Sequence, residues 1–287
     1  MSDEQLRFDS TGVGEWTTPG TYSATGDRIA AYAEATNDPI DAHRVGYTAS
    51  PVFAVVPVFQ NLLEPVVRVV PASLLGRIVH GSHDFRFHRP IRRDETLTVR
   101  SRVSGYRGTP KGTPCTVVLE TRDATGALVN EQIGTLFVRG ADAEETVGEV
   151  ASGHSFDPAL REQAPVAKVV QHIDDDQTVR YAEASGDRNP IHLDAEFARK
   201  TGLPGVITHG MCTMAIVSSA VLREVAGGDA ARLHRFAVRF AGPALPGKDI
   251  ETTIWRLSTT DGVTAYAFET TQDGVAVLSH GLATVSD

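Results

Sequence analysis

Cysteine is scarce. Cys115 and Cys212 are the only two in 287 residues, which excludes a disulfide framework and a cysteine-based zinc knuckle. Basic charge is also in deficit, with 27 Lys and Arg against 36 Asp and Glu and a net charge of −9. A chain of that sign lacks the phosphate-binding excess on which non-specific nucleic-acid affinity depends. Long apolar runs are missing as well. The longest candidate, Pro51 to Val70, is interrupted by Pro57, Gln60, Asn61, Glu64, Pro65 and Arg68, so no membrane-spanning helix is expected. The opening Met1-Ser2-Asp3-Glu4-Gln5 is acidic and lacks a signal-peptide pattern, which makes a cytoplasmic location the expectation.

Other chemistries are excluded by pattern. No glycine cluster spells a dinucleotide or phosphate loop. Ser218-Ser219 lie in an apolar stretch without the Gly-x-Ser-x-Gly elbow of a serine hydrolase. His80, His83 and His88 fall on a strand-like run with no tight ligand set, so no metal is expected there or elsewhere. The arginines, among them Arg86, Arg89, Arg92, Arg93, Arg235 and Arg239, read mostly as solvated strand ends.

What is present concentrates between Tyr181 and Ser219. A helical stretch is stopped by Gly186, and Asp187-Arg188-Asn189-Pro190-Ile191-His192 follows. Proline holds Asn189 extended, so Asp187 and His192 sit on one tight, irregular piece of backbone. Two readings stay open at this point: an acid/imidazole pair for proton transfer, or a helix-ending turn with a surface histidine. Beyond Pro204-Gly205, the residues from about Thr208 to Leu222 are small or apolar. They predict a buried helix whose first turn contains Thr208, His209 and Gly210. The first N–H groups of a helix are unpaired and carry its positive dipole end. Gly210, having no Cβ, lets a substrate oxygen approach its N–H.

Gly186-Asp187-x-Asn189-Pro190-x-His192 followed by His209-Gly210-Met211 resembles the motif of the MaoC-like, (R)-specific enoyl-CoA hydratases, also called (3R)-3-hydroxyacyl-thioester dehydratases. The resemblance implies an α+β hot-dog fold, a long helix wrapped by a curved antiparallel sheet. It implies Asp187 and His192 as the catalytic pair and the Gly210 N–H as donor to the thioester oxygen. Ser218 would be the small hydroxyl residue beside the acyl pocket, with Asn189 and His209 in support.

The chain carries this unit twice. Tyr32-Ala33-Glu34-Ala35 repeats as Tyr181-Ala182-Glu183-Ala184 at an offset of 149 residues, close to half the length. Four strand-like runs follow each helix region: Ile78–Phe87, Thr96–Tyr106, Cys115–Thr121 and Gln132–Val138, then Arg232–Phe240, Ile250–Leu257, Thr264–Thr270 and Val275–Val285. The organisation is therefore a double hot-dog: an N-terminal unit over 1–140, a Gly/Ala/Glu/Ser-rich linker over 141–165, and a C-terminal catalytic unit over 166–287. The first copy reads as chemically degenerate. Asp38 runs directly into Pro39, Asp41 stands two residues after the proline where the second copy has His192, and His43 reads as a surface residue. Ser50-Pro51-Val52-Phe53 lacks the His-Gly-Met element, and Pro57 implies a kink or a late helix start.

The expected reaction is reversible hydration of a trans-2-enoyl thioester to the (3R)-3-hydroxyacyl thioester. No cofactor is needed beyond the coenzyme A or acyl carrier protein borne by the substrate. In family members with two units, the first commonly holds the acyl chain. A thioesterase and a non-catalytic acyl-thioester binder are the competing readings, and a homodimer of such chains is compatible with the sequence. Fatty-acid, polyhydroxyalkanoate-precursor and sterol side-chain metabolism all fit.

Overall fold

The computed structural model describes residues 7–287; the acidic opening Met1–Gln5, on which the leader expectation rests, lies outside the described residues. The first half contributes β1 (Gly20–Ala24), α1 (Gly26–Ala35), α2 (Asp41–Arg44), α3 (Val55–Leu62), β2 (Ile78–Phe87), β3 (Glu95–Arg107), β4 (Gly112–Arg122) and β5 (Leu128–Arg139). After the short β6 (Thr146–Gly148) come β7 (Ala167–Ile173), α4 (Gln177–Ser185), α5 (Ala195–Lys200), α6 (Gly210–Ala226), β8 (Leu233–Phe240), β9 (Lys248–Thr260), β10 (Val263–Gln272) and β11 (Val275–Ser286).

The eleven strands join one antiparallel sheet, ten of them in the order β1-β3-β4-β5-β2-β8-β11-β10-β9-β7 and β6 pairing with β3 off this path. Its two halves are mirror sequences of one another, fused where β2 pairs with β8 and Phe85 faces Phe236 across the ladder. Both rings are fully buried, and burying a Phe side chain contributes about 1.5–3 kcal/mol. One apolar core runs through this seam, from Ile29, Tyr32, Phe53 and Phe85 to Met214, Val217, Phe236 and Phe268. The architecture is the double hot-dog. Asp261-Gly262 and Asp273-Gly274 both turn with positive φ at each position, the conformation a tight hairpin requires.

The structure corrects several sequence expectations. β1 and β7, which lead the two halves and form the sheet edges, were not expected. Alternate residues of each remain half-exposed, so the apolar signal is weak. Within Pro51–Val70 the α-helix does start late, as Pro57 implies: a 3-10 turn over Pro51–Ala54 precedes α3, which stops at Leu62. Pro57 sits in the first turn of α3, where a missing N–H costs no helical hydrogen bond. The stretch read as linker contains β6 and a 3-10 turn at Pro158–Glu162. Phe156 and Leu160 pack from it onto Trp255 and Ala267. No helix among the described residues is long and apolar enough to cross a membrane.

Candidate active site

The Asp187–His192 loop is built by local hydrogen bonds. Gly186 closes α4 in the left-handed region at φ 82°, a conformation that only glycine adopts at no steric cost. Ser185 Oγ then accepts from Asp187 N–H, Asp187 Oδ1 accepts from Asn189 N–H, and Asn189 Oδ1 accepts from Ile191 N–H. Asn189 thus caps the 3-10 turn Pro190–His192. His192 is 7% exposed, which rules out the surface-histidine reading.

His192 Nδ1 lies 2.8 Å from Ile207 O. A carbonyl only accepts, so Nδ1 carries the proton and Nε2 presents a lone pair. His209 Nε2 donates to Asp187 O at 3.0 Å, fixing the loop to the start of α6. The His192 and His209 rings stack at 3.8 Å and 28°. Burial, together with the neighbouring His192, holds His209 down at about 3, and burial lowers His192 despite its bond to Ile207 and the nearby Asp187 charge. Both rings are therefore neutral near pH 7. One ligand atom from each of Asp187, His192 and His209 falls within 4.8 Å of the others. Ring lone pairs lie in the ring plane, and stacked rings direct them along near-parallel planes. The trio is better arranged for proton transfer than for holding one cation.

α6 begins at Gly210 rather than Thr208. His209 is its N-cap, with ψ 132°, and Thr208 donates its N–H to Ala244 O. The Gly210 N–H is therefore the first of the helix and has no intrahelical acceptor. A Cβ at this position would lie 3.0 Å from the Phe240 ring, so the helix start packs closely on β8 and a larger residue here requires the ring to shift. Ser218 is buried two turns further along α6, its Oγ donating to Ala215 O at 2.8 Å.

The first half holds a pair that sequence reasoning misplaced. His43 is 1% exposed, not on the surface, and its Nδ1 meets Asp38 Oδ2 at 2.7 Å. At the constant offset of 149 residues, Asp38 falls on Asp187 and His43 on His192. Counting from the proline matches Asp41 to His192; the constant offset matches His43 instead. The corresponding helix start in this half is Ser50-Pro51 in place of His209-Gly210. Proline has no N–H, so the donor a thioester oxygen would need is chemically deleted in this half.

A double hot-dog with an acid/imidazole loop set against a free helix N-terminus is equipped for acid–base chemistry on a carbonyl compound. Residues 158–277 match the MaoC like domain family, and residues 11–132 match the FAS1-like dehydratase domain region. The chain is 33% identical over 222 residues to 3-hydroxyacyl-thioester dehydratase Y of Mycobacterium tuberculosis, covering 75% of this chain and 73% of that protein. It is 26% identical to a probable enoyl-CoA hydratase 2 of Dictyostelium discoideum over 93% of this chain and 92% of the other. A crystal structure of a MaoC-like dehydratase from Phytophthora capsici superposes with a TM-score of 0.81 at 25% identity, covering 94% of this chain and 95% of that one. The chain belongs to the MaoC-like dehydratase family.

Proposed function

We propose that this protein is a hydro-lyase that adds water reversibly to a trans-2-enoyl thioester, giving the (3R)-3-hydroxyacyl thioester. The observation that carries the reading is the locked tautomer of His192. With Nδ1–H held by Ile207 O, Nε2 is left with its lone pair as a proton acceptor, in a site where Asp187 and His192 bring a ligand atom each to within 4.8 Å.

One water sits between Asp187 and His192. His192 Nε2 takes a proton as the water oxygen bonds to C3, and the C2=C3 π pair moves into the thioester as an enolate. The Gly210 N–H, at the positive end of α6, stabilises that oxygen. The proton is returned to C2, so one water is added in total. Asp187 holds the water and balances the charge on His192 during the transfer. Asn189 and His209 keep the loop in position, and Ser218 belongs to the helix interior.

The first half accommodates the acyl group. α3 is eight residues long where α6 has seventeen, and the shortened helix leaves a cavity of about 560 Å³. Val56, Pro57 and Phe59 of α3 line it, together with Tyr22 and, next to the dyad loop, Ser185 and Gly186. The carrier is coenzyme A or acyl carrier protein.

The test is loss of enoyl absorbance with crotonyl-CoA and a longer enoyl-CoA, run beside Asp187→Asn and His192→Ala. Hydration to the (3R) product that both variants lose supports the assignment. Release of free thiol, or undiminished hydration in the variants, overturns it.

A further inference from the structure

Residues 149–155 cross the outer face of the sheet, opposite the helices. One end is tied to the first half: Ser104 Oγ donates to Glu149 O at 2.8 Å, and Ala151 N–H donates to Thr116 Oγ1 at 2.9 Å. The other end is anchored in the second half by Phe156 on Trp255. Between the anchors His154 Nε2 bonds His280 O. Beneath this strap, over the β2–β8 seam, lies a cavity of about 550 Å³. That is within the range of small-molecule sites.

Its chemistry is that of an anion site. Arg86, Arg102 and Arg239 line it. Arg86 and Arg239 are exposed and, among the described residues, neither has a carboxylate partner. Their neighbour Arg235, by contrast, is paired with Asp84 through bonds of 2.9 and 2.7 Å. Arg102 brings a third guanidinium to the lining, held against the Trp16 ring at 4.8 Å. The acidic groups facing the cavity are Asp84, already neutralised by Arg235, and Glu149. The remaining wall alternates hydroxyls, such as Thr116 and Thr135, with the aliphatic Val118, Ile133 and Val238. This wall is too large and too apolar for a bare inorganic ion.

We propose that the cavity under the 149–155 strap is a second ligand site, for an organic phosphate of nucleotide size, on the sheet face opposite the Asp187–His192 loop. The duplication supplies it: the pairing of β2 with β8 brings Arg86 and Arg239 from distant sequence to the two sides of one seam. Arg239 stands opposite Ser82 and Arg86 opposite Arg235, so the two arginines are about 14 Å apart along the ladder. They would meet different parts of one extended ligand, each guanidinium offering its N–H groups to phosphate oxygens two at a time. This site stands independently of the proposed activity.

Isothermal titration calorimetry on the full chain, with ADP and separately with inorganic phosphate, tests the proposal. ADP is expected to bind at one saturable site. Arg86→Ala/Arg239→Ala and Arg102→Ala are each expected to weaken it by roughly tenfold or more, while Asp187→Asn leaves it unchanged. Hydrogen exchange at 149–155 is expected to slow with ADP bound. Arg86 and Arg239 are exposed, so the double variant keeps its thermal midpoint, and Arg86→Lys/Arg239→Lys recovers part of the affinity. No saturable heat up to about 5 mM ADP, binding untouched by the arginine variants, or equal affinity for inorganic phosphate would each overturn the proposal.

Discussion

Tyr32 and Tyr181, equivalent residues of the two repeats, meet each other in the interior, their hydroxyl oxygens 3.5 Å apart and their rings at 5.6 Å. Both are essentially inaccessible to solvent, and burial raises the ionisation of both phenols well above its usual range. The contact ties α1 to α4 and continues into the site. Tyr181 packs on His209 at 4.8 Å, and His209 stacks on His192. At 3.5 Å the hydroxyl pair is a weak bond; the rings carry the contact.

Tyr181→Phe is therefore expected to cost at most about 1 kcal/mol, whereas Tyr181→Ala should cost about 3–5 kcal/mol and lower kcat by releasing His209. Urea unfolding with parallel rate measurements checks both. A Tyr181→Ala protein with wild-type kcat would show that the seam does not support the site.

Gly210→Ala is expected to reduce kcat by about a hundredfold, the scale on which a displaced oxyanion donor acts. The added methyl would press on the Phe240 ring at 3.0 Å and push the helix start off β8. Phe240→Leu in the Gly210→Ala background gives that methyl room and is expected to restore part of the rate. No recovery would point to a cause other than this contact.

Stability should decline as pH falls below about 6.5. Burial holds His80 at about 3 and His83 at about 4, and His209 is held at about 3. Below the free imidazole value the unfolded chain binds protons that the folded chain refuses, so the stability present above pH 6.5 is lost on the way down toward 3. Each such histidine adds up to about 1.4 kcal/mol per pH unit. Urea midpoints at pH 7.5 and 5.5, a window in which most carboxylates stay ionised, read the effect; an unchanged midpoint contradicts it. The acid limb of kcat/KM should likewise lie below pH 6.5, because protonation of His192 is disfavoured.

Asp38→Ala leaves His43 buried beside an empty acceptor position, and a buried donor left without its acceptor costs about 1–3 kcal/mol. We expect that loss in denaturant titrations with kcat per folded molecule unchanged, since Pro51 leaves this half without an oxyanion donor. A large fall in kcat alone would instead assign Asp38–His43 a part in turnover.

The central strands were legible in the sequence because each alternates buried and exposed positions, as in Glu95–Arg107, and is closed by turn residues. The edge strands β1 and β7 were not, because their outward residues meet solvent on more than one side. The Asp187–His192 loop could be read because its geometry is made by neighbours in sequence, Gly186, Asn189 and Pro190. Asp38–His43 escaped because a displaced proline obscured a register that the constant offset preserves.

Sequence alone determined the duplication, the four central strands of each half and the loop that carries Asp187 and His192, since these depend on local conformation and on periodic apolar positions. Tertiary structure decided the rest. It set the His192 tautomer through Ile207 O, stacked His209 on His192, buried His43, directed Ser218 Oγ to its own helix, and brought Arg86 and Arg239 to one seam. Each of these rests on a hydrogen-bond partner or a packing face supplied by a distant part of the chain, or on the way a helix turns a residue inward, and neither composition nor short-range spacing records that.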